Sequence, residues 1–167
     1  MEYFIITSDE RVENPLSFTV EESKITSMKP FVINIGETNE MDVMDMVVVR
    51  ILFNSYYLLS DELMKVFRMY DNSIESVPIF ISSDDRSIQE SYWCINMEVT
   101  EDVVTNEFLK VEDMIVNEDC IKDKPIHIVQ YEKQSYLLVN QYVAESILRR
   151  MPVGLWFQRV TVLKGEN

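Results

Sequence analysis

The sequence predicts an α+β fold: one compact domain with a mixed or antiparallel sheet and two similar strand-helix-strand units. Three observations carry this. Short apolar, β-branched runs recur along the chain, as in Met46-Val-Val-Val-Arg-Ile-Leu-Phe53 and Ile126-His-Ile-Val-Gln-Tyr131. Two amphipathic helical stretches each follow a small polar capping residue, Ser60 or Asn140. Finally, 167 residues with 47% hydrophobic content supply a core of single-domain size.

The elements follow in order. Met1 to Thr7 reads as an opening strand, and residues 8 to 27 have no clean period. Met28 to Gly36 is a second extended segment that Gly36 ends. Glu37 to Asp45 is acidic, with a helical trace, and leads into the valine strand at 46–53. Tyr56 to Ser60 then enters a helix with Ser60 as N-cap and Asp61 and Glu62 in its first turn. Leu63, Val66, Phe67 and Tyr70 form its apolar face. Asp71-Asn-Ser73 turns the chain back into Val77-Pro-Ile-Phe-Ile81, where Pro78 implies a strand end, bulge or edge.

After an exposed loop at 82–87, Tyr92 to Met97 is a strand, and neither period dominates 98–119. Ile126 to Tyr131 is the next strand. Tyr136 onward enters a second helix, capped by Asn140, with Val143, Ile147, Leu148 and Met151 on one face. Pro152 and Gly154 end it, and Leu155 to Val162 returns as a strand. Tyr-Leu-Leu, a polar cap, a helix and an aromatic-bearing strand thus occur twice, which gives possible subunits 1–97 and 98–167.

Charge narrows the function. With 29 acidic against 15 basic residues the chain carries −14, so a phosphate backbone repels it and a basic partner attracts it; direct nucleic-acid binding is not expected. No secretory signal pattern or uncharged run of about 20 residues is present, so the expectation is a cytoplasmic protein outside the membrane. Cys94 and Cys120 lack the spacing of a disulfide framework or zinc site and are expected to be reduced.

The candidate partner-binding groups are acidic clusters: Glu37, Glu40, Asp42 and Asp45; Asp84 and Asp85; and Glu98, Glu101 and Asp102. If helical, Asp42 and Asp45 would be neighbours, and the third group would share a face or loop. Glu107, Glu112, Asp113, Glu118 and Asp119 form a further acidic region. His127, the single histidine, has no visible proton-transfer partner and reads as a structural strand residue. Three glycines cannot form a dinucleotide or phosphate loop. The methionines, Trp93, Trp156 and Phe157 read as core. No catalytic, cofactor or metal set is assigned, and no enzyme activity is expected.

Tyr57-Leu-Leu-Ser-Asp-Glu-Leu63, Val77-Pro78, Tyr92-Trp-Cys-Ile-Asn96 and Gly154-Leu-Trp-Phe157 together resemble a bacterial family, domain of unknown function 1629. The resemblance spans roughly Pro30 to Val162. Ser60 matches its helix-opening serine, Pro78 its strand proline, and Gly154 with Phe157 its closing pair. Asn140 stands where members often have serine, and His127-Ile-Val129 replaces a more aromatic strand pattern. The resemblance implies an immunity protein of a polymorphic toxin system, binding and neutralising a cognate toxin domain by stoichiometric occlusion, and it implies no catalytic set. The alternatives are a protein-binding or regulatory domain outside immunity, and a carboxylate-based enzyme acting on a small molecule. The sequence leaves the oligomeric state open.

Overall fold

A computed structural model of the protein describes residues 1–37, 40–52 and 54–164. The chain runs through β1 (Tyr3–Ser8), α1 (Glu22–Thr26), β2 (Phe31–Asn34), β3 (Met46–Ile51), β4 (Asn54–Ser60) and α2 (Asp61–Tyr70). It continues through β5 (Glu75–Ser82), β6 (Gln89–Asn96), β7 (Val99–Thr100), β8 (Ile115–Asn117), α3 (Glu118–Ile121), β9 (Ile126–Tyr131), β10 (Gln134–Asn140), α4 (Gln141–Leu148) and β11 (Leu155–Leu163). Two mixed sheets result, ordered β2-β5-β6-β4-β3 and β7-β9-β10-β1-β11-β8. They belong to one domain, because a shared core joins them. Met46 and Leu59 of the first sheet and Ile126, Leu137 and Val139 of the second close on Leu63 and Phe67 of α2 and on Val143 and Ile147 of α4. Full burial of a side chain such as Phe67 contributes about 1.5–3 kcal/mol, so this central cluster dominates the cohesion between the sheets.

Both sheets follow one plan. A hairpin (β3-β4 or β9-β10) enters a capped helix, and the chain returns as β5 or β11. An antiparallel strand fills the gap between hairpin and returning strand: β6 in the first sheet, β1 in the second. A parallel strand flanks the returning one, β2 in the first and β8 in the second. The registers coincide. Ser60 faces Tyr92 as Asn140 faces Tyr3, and Tyr92 faces Ile79 as Tyr3 faces Val160. Each of these tyrosines donates its hydroxyl to a carbonyl ahead of the hairpin, Tyr92 to Met44 at 2.6 Å and Tyr3 to Ile121 at 3.2 Å. Each capping residue donates its backbone N–H to the residue before the hairpin's first strand, Ser60 to Asp45 at 2.8 Å and Asn140 to Pro125 at 2.9 Å.

This repeat refines two expectations. Aligning the caps makes Tyr136 the equivalent of Tyr56, one residue away from the match that the repeated Tyr-Leu-Leu suggests. Tyr57 therefore faces the central core, whereas Tyr136 packs against the outer cluster of its sheet. The division at 97/98 is crossed by β1, which sits in the middle of the second sheet although it lies in the first segment of sequence.

Each sheet's outer face has a smaller core of its own. Leu16 and Ile25, from the irregular stretch and α1, cover Val47, Val49, Leu58 and Cys94. Val103, Met114 and Ile121 cover Ile5, Val129 and Leu138. Burial pushes the Cys94 thiol up to about 11, which suppresses the reactive thiolate. Cys120 is half-buried, and neither cysteine is in a disulfide. Pro78 lies within β5, where β6 pairs it on one side but the β2 ladder begins only at Ile79, so its missing N–H falls where β5 is locally an edge.

Candidate functional site

The parallel pairing of β2 with β5 ends at Asn34 opposite Ser82 and brings two sequence-distant acidic segments together. Ile35 N–H donates to Ser82 O at 3.0 Å, Asp84 N–H to Gly36 O at 2.9 Å, and the Asn34 side-chain amide to an Asp84 carboxylate oxygen at 2.8 Å. Gly36 turns this corner at φ +73. Glu37 thus lies beside the Asp84–Asp85 loop. Glu40 and Asp42 are tied to the irregular stretch: Asn14 donates its side-chain amide to Glu40 O at 3.0 Å, and Asp42 N–H donates to Asn14 O at 2.7 Å. Glu37, Glu40, Asp42, Asp84 and Asp85 are all exposed. Among them Asp85 organises its own loop: hydroxyls of Ser83 and Ser87 and the Ser87 N–H donate to it, and these bonds lower its pKa.

Asp45 has a different role from its sequence neighbours. The segment before β3 is not helical, so Asp42 and Asp45 do not share a helix face. The half-buried Asp45 carboxylate accepts the Ser60 hydroxyl at 2.6 Å and the Val153 N–H at 2.6 Å, and its own N–H donates to Val153 O at 3.0 Å. Ser60 meanwhile caps α2 by accepting from Leu63 N–H at 3.2 Å. One aspartate therefore ties the start of β3, the cap of α2 and the turn after α4 to one another.

Glu98, Glu101 and Asp102 are exposed, but they flank the two-residue strand β7 rather than forming a helix face. The remaining motif residues are structural in their contacts. Asn140 accepts from Val143 N–H at 3.1 Å, and Phe157 packs partly buried against the central core. Gly154 lies at φ +73 in contact with Met44, where an added Cβ would come within 2.7 Å of Cγ and Sδ. His127 is buried. One ring nitrogen faces the Thr100 hydroxyl at 3.1 Å, while the other meets the carbonyls of Ile121 and Lys124 at 3.0 and 2.9 Å.

A cavity of about 770 Å3 opens between the sheets, beyond the end of the central core. β1 stops pairing with β10 at Ile6 opposite Leu137, so the first residues of β10 splay from it. Sequence reasoning missed this cleft, since it depends on where two strands part. Tyr57 spans it by donating its hydroxyl to Ser135 O at 2.8 Å, and burial pushes that phenol up to about 12. Trp156, expected in the core, is 47% exposed at the cleft with the Arg11 guanidinium 5.0 Å from its ring centroid. Alternation along β11 contains the signal: Leu155 and Phe157 face the central core, which turns Trp156 outward. Leu148 and Met151 are likewise exposed: the buried face of α4 is Val143, Ala144 and Ile147, which leaves Leu148 outside it, and Met151, at 85%, lies beyond the helix end.

Among the described residues, no three His, Cys, Asp or Glu side chains converge as a metal site would require. No helix of the described residues is long and apolar enough to cross a membrane. Neither a protein-family model nor a curated protein matches this chain.

Proposed function

We propose that the protein is an immunity-type inhibitor, binding a cognate toxin domain in a stoichiometric complex and occluding that toxin's basic surface. The observation that carries this reading is an exposed acidic stretch, with Glu37 and Asp84 at the corner where β2 and β5 end and Glu40 and Asp42 following along the chain beside Asn14; all four are exposed and enter no ion pair among the described residues. On a chain of charge −14, such a stretch focuses negative potential. It raises the association rate with a basic surface and selects against acidic ones. The motifs around Ser60, Pro78 and Gly154 support the same reading by resemblance.

Charge reversal tests it: Glu37→Lys, Glu40→Lys, Asp42→Lys and Asp84→Lys together, with Asp45 left intact. The expected result is weaker association with the toxin domain, a shallower dependence on salt and lost protection of toxin-expressing cells, with the unfolding transition retained. Unchanged affinity and salt dependence in a folded variant would remove this stretch from the interface.

A further inference from the structure

The inner side of the cleft has the makings of a ligand site separate from the acidic corner. Residue parity assigns its walls. Ile6 and Ser8 of β1, Val48 and Arg50 of β3, Tyr57 of β4 and Ser135 of β10 fall on the strand faces that turn toward the central core, and all six line the cavity. Ile6, Val48 and Tyr57 make an apolar floor, and Arg50 stands exposed at the mouth. Among the described residues Arg50 forms no ion pair or side-chain hydrogen bond, although acidic residues outnumber basic ones almost two to one. Its charge acts on the hydroxyls of Tyr57 and Tyr136, but both already donate, to Ser135 O and Gln134 Oε1. A guanidinium next to an apolar floor, with two serines nearby, is the arrangement that recognises a carboxylate carrying a hydrophobic body.

The other charges at the cavity narrow the class. Asp9 is neutralised by a two-pronged bond from Arg11, with contacts of 2.7 and 2.9 Å, and Glu112 pairs with Lys110 at 3.6 Å. Glu10 remains against Arg50, so the lining carries no net positive charge beyond the one guanidinium, and the field of a chain at −14 opposes a dianionic phosphate more than a monoanion. We infer that this cleft binds a monocarboxylate with an apolar or aromatic body, its carboxylate on Arg50 and its body against Ile6, Val48 and Tyr57. The carboxylate comes from a free small acid or from the C-terminus of a peptide.

The test is a titration of the isotopically labelled full chain, followed by backbone resonances. The probes are 4-phenylbutyrate, its primary amide, phenyl phosphate, and a hexapeptide ending in Phe with a free or amidated C-terminus. The inference expects saturable shifts at Ser8, Val48, Arg50 and Ser135 with a carboxylate probe at a Kd of about 1 mM or tighter. The amide and phenyl phosphate should each bind at least about tenfold more weakly, and Arg50→Gln should weaken the carboxylate by a similar factor while keeping the native spectrum. Phenylbutyrate as the tighter carboxylate assigns a free acid; the free-ended peptide as the tighter one assigns a chain terminus. Absence of shifts with both carboxylates, equal binding of the amide, or unaltered affinity in folded Arg50→Gln would overturn the inference. Val48→Trp, which fills the floor beside Arg50 and leaves the guanidinium itself in place, should also abolish binding, and retained binding in that folded variant would equally overturn it.

Discussion

Replacing Asp45 by alanine should separate it from the acidic residues that precede it. The substitution removes the acceptor for the Ser60 hydroxyl and the Val153 N–H, both at 2.6 Å, and leaves that N–H without its charged partner. Hydrogen bonds to a charged group contribute about 1.5–3 kcal/mol each. With the carboxylate half-buried, water compensates part of the loss, so the expected cost is about 2–4 kcal/mol. For a chain of this length that lowers Tm by about 6–12 °C. The assay is urea unfolding followed by fluorescence and circular dichroism. Asp42→Ala, at an exposed carboxylate, should stay within about 0.5 kcal/mol of the parent. Ser60 caps α2 and also donates to Asp45, so Asp45→Ala and Ser60→Ala should couple by about 1–2 kcal/mol in a double-mutant cycle. An Asp45→Ala change within about 0.5 kcal/mol, or strict additivity with Ser60→Ala, would refute the node.

Three further outcomes follow from the fold. Gly154→Ala should cost about 2–4 kcal/mol, combining a left-handed backbone with a clash against Met44, whereas Gly36→Ala at the same φ meets no atom within 4 Å and should cost only about 1 kcal/mol; equal losses in unfolding experiments would contradict the packing. Burial lowers the pKa of His127, so the fold favours the neutral ring: its contribution is intact above about pH 6.5 and is lost as pH falls through the folded value. An imidazole resonance titrating at or above pH 6.5 would refute that sign. Because β1 occupies in its sheet the place that β6 occupies after β5, a circular permutant should fold, with the termini joined by a short Gly/Ser linker and new ends between Val12 and Glu13. The start of β1 lies beside the last strand, since Tyr3 pairs with Val160 and Glu2 with Arg159 at 2.7 Å. Failure of the permutant to regain the parent's circular dichroism spectrum and cooperative unfolding would argue against the equivalence of β1 and β6.

Local physics made much of this architecture legible. Ser60 and Asn140 combine capping chemistry with an amphipathic period, and both caps are made as those residues predict. The valine and isoleucine runs at 46–51 and 126–131 are strands because β-branched side chains fit a pleated surface. The hairpins were harder to see. Two residues separate Ile51 from Asn54 and Tyr131 from Gln134, and the first of each pair, Leu52 or Glu132, takes positive φ without the Asn or Gly that ordinarily marks such a turn. Short α1, α3 and β8 lie where the hydrophobic period is weak, since they owe their form to covering an outer sheet face. The central position of β1 depends on pairing across more than 130 residues, which no local pattern encodes.

The candidate sites divide in the same way. Acidic composition points to a charged surface, yet only the β2-β5 pairing brings Glu37 to Asp84, and only tertiary bonds distinguish Asp45 from Asp42. Arg50 carried no sequence signal, because its meaning comes from its place at the mouth of the inter-sheet cleft.

If the protein inhibits a toxin by covering a basic surface, as proposed, capture of the folded chain from its native cells should bring that toxin with it. Mass spectrometry identifies the partner, and titration calorimetry across a salt series measures the complex. The expected result is a toxin domain bound one to one, with affinity that falls as salt rises and falls again when Glu37, Glu40, Asp42 and Asp84 are reversed in charge. A repeated absence of any toxin partner in cells shown to express the toxin, or a complex indifferent to both salt and charge reversal, would contradict it.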